Sequence, residues 1–70
     1  MRHYEQQTWD MYESLRKLER ENPENMEIRK LRCQVSNLCA EYSFCDEDTD
    51  TEARKVLEET KQALVYILHN

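Results

Sequence analysis

Apolar side chains recur at helical spacing in three separate stretches of this chain, and only short breaks divide them. In the first stretch, Tyr4, Thr8, Met11, Leu15 and Leu18 step by four, three, four and three residues, and Tyr12 widens the stripe. Side chains three and four apart share one face of an α-helix, so this spacing predicts a helix over about 3–21. Asn22-Pro23 ends it. Proline bars the preceding residue from the helical region and donates no backbone hydrogen bond, yet it suits the first position of a new helix. Asn22 is therefore expected to cap a second helix over about 23–45, with Glu24 in the first turn, where the helix dipole favours an acid. So short a joint makes the first two helices antiparallel neighbours.

The second stretch carries Ile28, Leu31, Val35, Leu38, Tyr42 and Cys45 on one face, with Cys39 beside them. At 100° per residue, Met26, Cys33, Ala40 and Phe44 form a weaker stripe on the opposite side. A helix apolar on two faces is either central or in contact with another chain. After an acidic link over 46–49, Thr49-Asp50-Thr51-Glu52 has the form of a capping box, with Thr49 as the cap and Glu52 reaching back to it. This predicts a third helix over about 50–69. Ala53, Val56, Leu57, Thr60, Ala63, Leu64, Ile67 and Leu68 make its broad stripe, and Val65 and Tyr66 lie outside it. From Ala63 to Leu68 this helix is apolar all round.

At 1.5 Å per residue the three helices are about 27 to 34 Å long and can lie side by side. The chain has no glycine, no β-rich run and no repeat. The expectation is an all-α fold: a single domain over 1–70, built as a small up-down-up antiparallel three-helix bundle that assembles further into an oligomeric helical bundle. A long hairpin of the first two helices, with the third docked on a second subunit, is the competing arrangement.

Length sharpens that expectation. A chain of 70 residues is near the lower limit for an independent core, which at this size supplies about 3–5 kcal/mol. The net charge of −5 is local: Asp46, Glu47, Asp48, Asp50 and Glu52 fall within seven residues that contain no base, and the rest of the chain is balanced. No basic face follows a phosphate backbone, so direct nucleic-acid binding is not expected. Three cysteines cannot all pair within the chain, and no apolar leader precedes them, which points to a reducing, cytoplasmic setting. The longest apolar run is too short to cross a bilayer, so no membrane is expected.

Chemistry has little to work with. Asp46, Asp48 and Asp50 occupy alternating positions of a calcium loop, but the required glycine position is Thr51 and the bidentate glutamate position is Leu57. A solvated, helix-capping linker is the better reading. The cysteines stand six apart and lack zinc spacing, and His3 and His69 lie at opposite ends of the chain. There is no phosphate loop, no nucleophile elbow, and no histidine one helical turn from a carboxylate or thiol. The expectation is a protein that is not an enzyme and has no catalytic residue, metal or cofactor.

Trp9 lies off the first seam, with Arg16 seven residues later on the same side. The plain account is a ring lying over the bundle edge with Arg16 beside it. The sharper account is a binding hot spot, since Trp, Tyr and Arg dominate interface energetics. Trp9, Arg16, Met26, Cys33, Phe44, Val65 and Tyr66 together exceed what one small core can absorb. This surplus predicts a protein–protein interaction module, pairing with itself as a homodimer or docking on another protein. Two alternatives stand beside it. One is a small acidic inhibitor whose 46–52 cluster enters a basic groove of an enzyme or nucleic-acid-binding protein. The other is a small-ligand sponge with Trp9, Tyr12, Arg16 and Tyr66 lining a pocket between subunits.

Overall fold

The computed structural model describes residues 3–44 and 48–69. Three helices account for nearly all of them: α1 (Glu5–Glu21), α2 (Met26–Ser43) and α3 (Thr49–His69). There is no strand among the described residues. Each helix packs on the other two, giving an all-α three-helix bundle. Its long dimension of 36 Å is close to the length of α3, about 31 Å for 21 residues, so the helices run along the whole molecule.

The core follows the three stripes. Leu15 from α1, Ile28, Val35, Leu38, Cys39 and Tyr42 from α2, and Ala53 and Leu57 from α3 are all buried. Tyr4 and Val56 pack against the group formed by Leu38, Tyr42 and Ala53. Met11, Leu18, Leu31, Ala63, Leu64 and Ile67 are half-buried around this centre. Leu68 departs from the expected stripe and is 60% exposed. Cys45, the last member of the α2 stripe, lies outside the described residues.

Both joints differ from the sequence expectation. Asn22 does not cap α2; it closes α1, where its backbone N–H and its side-chain Nδ2 both donate to the Leu18 carbonyl, at 2.8 and 3.0 Å. Pro23 does not begin a helix either. The Asn25 N–H donates to the Asn22 carbonyl at 3.0 Å, so residues 22–25 form a turn with proline in its second place. That place requires the same backbone angle as a first helical position, and the sequence signal for the two is identical. Asn25 is the true cap of α2: its Oδ1 accepts the N–H groups of Glu27 and Ile28, at 3.0 and 3.2 Å.

At the second joint α3 begins at Thr49 itself, and the Glu52 N–H donates to the Asp48 carbonyl at 3.3 Å. The expected capping box is not formed. Thr49 is turned into the bundle with 1% of its surface exposed, and its hydroxyl has no hydrogen-bond partner among the described residues.

Candidate interaction surface

All seven residues singled out for contact with a partner are at the surface. Trp9 is 41% exposed, Met26 58%, Val65 60%, Tyr66 71% and Phe44 83%, and Arg16 and Cys33 are also exposed. Burial of the main seams leaves these groups on the outside because a bundle of three helices covers only one stripe of each. The weaker stripe of α2 is wholly outward: Met26, Cys33, Ala40 and Phe44 all face solvent.

On the α1–α2 side the exposed groups form a connected set. The Trp9 and Tyr12 rings meet edge to face, with centroids 6.0 Å apart and planes at 87°. The Arg16 guanidinium sits over the Tyr12 ring, 5.8 Å from its centre. Arg16 therefore joins Trp9 through Tyr12 and does not stack on the indole itself. One turn further along α1, Glu19 is shared by two arginines of α2. Its Oε2 accepts from Arg32 Nε at 3.3 Å and lies 4.0 Å from Arg29 Nε. The Glu19 hydrogen bond, with the neighbouring Cys33, holds the Arg32 guanidinium above its ordinary pKa. Arg29, Arg32 and Glu19 escaped the sequence reading because residues 10 and 13 apart in the chain become neighbours only once the hairpin register is known.

A second group lies at the α1–α2 joint. Met26, Tyr66 and Ile67 line a shallow cleft with Glu24, Asn25 and Glu27, where the start of α2 meets the end of α3. Tyr66 lines this cleft, and Trp9, Tyr12 and Arg16 are not among the residues around it. Cys39 is buried; burial, followed by the nearby Glu5 charge, raises its thiol pKa and keeps it protonated.

The acidic residues divide. Asp46 and Glu47 lie outside the described residues, and Asp48 and Glu52 are exposed. Asp50 is turned inward to structural contacts. Its Oδ1 accepts the buried Tyr42 hydroxyl at 2.5 Å, and its two oxygens take the backbone N–H groups of Tyr4 (3.5 Å) and His3 (3.1 Å). Tyr4, at the head of α1, has no side-chain cap of its own, and Asp50 serves that end from across the bundle. The Tyr42 hydrogen bond, with those from His3 and Tyr4, holds the Asp50 carboxyl below the usual range, while partial burial works the other way. Burial first, and then Asp50, pushes the Tyr42 phenol well above its ordinary value.

Among the described residues no three or more His, Cys, Asp or Glu side chains gather as a metal site, and no helix is long and apolar enough to cross a membrane. The class that fold and surface define is a small all-α three-helix bundle. No family model, curated protein or solved structure matches this chain.

Proposed function

We propose that this protein is a non-catalytic interaction module that pairs with itself or docks on a partner protein through apolar side chains its own core leaves uncovered. The observation that carries this reading is the exposure of six large apolar residues, Trp9, Met26, Phe44, Val65, Tyr66 and Leu68, in a chain of 70. Scattered single apolar groups are ordinary on a protein surface, but contiguous ones mark contact sites. Here Val65, Tyr66 and Leu68 are all exposed on the last turns of α3, and Tyr66 shares a cleft with Met26. A two-fold pair through this end of α3 and the outer stripe of α2 is the preferred assembly, since isologous dimers are the commonest oligomers.

Sedimentation equilibrium at micromolar protein tests self-association. The expected result is a dimer mass that returns to the monomer in Val65→Ser/Tyr66→Ser. A monomer mass for the unaltered chain overturns it. The acidic-inhibitor reading is less well supported, because Asp50 is committed to Tyr42 and the head of α1.

A further inference from the structure

Burial along α3 runs against its hydrophobicity. In its first part Thr49, Ala53, Leu57 and Thr60 are buried. From 61 to 69 no residue is buried: Ala63, Leu64 and Ile67 are half-buried and the rest are exposed. Yet this second part holds the longest apolar run of the chain, Ala63 to Leu68. Clefts also enter on both of its flanks. One separates it from α1 and is lined by Lys61 with Gln7, Asp10, Met11 and Ser14. The other is the cleft of Met26, Tyr66 and Ile67 beside the start of α2. Lys61 and Tyr66 are about 140° apart around the helix axis, so the tail of α3 stands off from both neighbours.

The head of α3 is held differently. Asp50 accepts the Tyr42 hydroxyl of α2 and the backbone N–H groups of His3 and Tyr4, which ties the first turn of α3 to both other helices. From Thr49 to His69 the helix is unbroken and contains neither glycine nor proline, the common sites of a kink. A loose tail on such a helix moves with the whole rod, turning about the held end. Ile67 lies about 26 Å along the axis from Asp50, so a tilt of about 15° carries it about 7 Å and shifts Ala53 by only about 1 Å. The Thr60 hydroxyl favours the motion. Buried, it has no partner among the described residues; lifted out, it gains water.

We infer that α3 is a hinged strap: it pivots on the Asp50 contacts and lifts its tail from the α1–α2 hairpin while remaining helical, widening the clefts beside Met11 and Met26. Segments with few buried apolar contacts open at a lower free energy than the molecule as a whole, and the tail of α3 is such a segment. The strap is a property of one chain and does not rest on self-association.

Thiol labelling with an aromatic disulfide reagent reads the motion. Thr60→Cys or Ala53→Cys is made in a chain with Cys33→Ser, Cys39→Ala and Cys45→Ser, and a chain keeping only Cys39, buried in α2, reports opening of the whole molecule. The thiol of Thr60→Cys is expected to react at least about thirtyfold faster than Cys39 and than the thiol of Ala53→Cys, at a rate independent of protein concentration. Asp50→Asn, which weakens the pivot, is expected to bring the Ala53→Cys rate up to that of Thr60→Cys. Amide exchange of the unaltered chain separates a tilt from fraying, because a tilting helix keeps the N–H groups of 62–66 bonded and protected. Helical content and melting of each variant establish that it is folded. Spin labels on exposed positions answer the same question without touching the core: the tail pair Ser14→Cys/Gln62→Cys should show two distances and the head pair Gln6→Cys/Thr51→Cys one. Equal reactivity of the three thiols, an Ala53→Cys rate unmoved by Asp50→Asn, a rate that changes with protein concentration, unprotected amides over 62–66, or a single tail distance overturns the proposal.

Discussion

Two threonines show how much a single hydroxyl's surroundings decide. Thr8 and Thr60 are both fully buried, yet Thr8 donates to the Tyr4 carbonyl at 2.7 Å while the Thr60 hydroxyl has no partner among the described residues. A buried hydroxyl without a partner carries its desolvation cost and recovers nothing. Thr60→Val, which keeps the shape, is therefore expected to raise stability by about 1 kcal/mol in urea unfolding, and Thr8→Val is expected to lower it. Leu15 sets the other extreme. With 0% of its surface exposed, its truncation to alanine should remove about 2–5 kcal/mol, comparable with the whole stability of so small a core. Loss of the helical circular-dichroism signal at 25 °C is the expected observation. Both stripes were legible in the spacing, but nothing in the sequence distinguishes a threonine that finds a carbonyl from one that does not.

At the scale of the helix, the ends carry the information that spacing lacks. Asn22 and Asn25 flank Pro23-Glu24 symmetrically, and either could have capped α2; the turn across Pro23 gives that role to Asn25. Replacement of Asn25 by alanine is expected to lower stability by about 1 kcal/mol, measured by thermal or urea unfolding. The head of α1 is capped from α3, and this gives the molecule a pH signature. Asp50 titrates below an unfolded carboxylate, so its contribution is complete above pH about 4 and is lost as the pH falls through its own lowered value. Tyr42 titrates above an unfolded phenol, so its contribution is complete below pH about 10 and is lost as the pH rises beyond that. The melting temperature should therefore decline at both extremes, and Asp50→Asn should flatten the acid limb. A melting temperature of Asp50→Asn that falls with acid as steeply as that of the unaltered chain would refute this assignment.

Over the whole molecule, three helices cover one stripe each and leave a remainder. The remainder was visible early as a second stripe on α2 and an all-round apolar end on α3; the whole of the first, but only Val65, Tyr66 and Leu68 of the second, face solvent. How they group was not visible. Periodicity placed Trp9 and Arg16 on one side of α1, but the ring between them is Tyr12, and the arginines opposite come from α2. The acidic run looked uniform, and tertiary contacts withdrew Asp50 from it.

Spacing, the absence of glycine and one proline determined that this chain is three helices with two joints, because helical periodicity is a local property of neighbouring side chains. The choice of Asn25 over Asn22 to begin α2 is made by a local turn across Pro23, but tertiary structure alone decided which carboxylate would be an internal cap and which arginines would share Glu19. Each of the latter two depends on groups many residues apart reaching within about 3 Å of one another, and such distances exist only after the helices have packed.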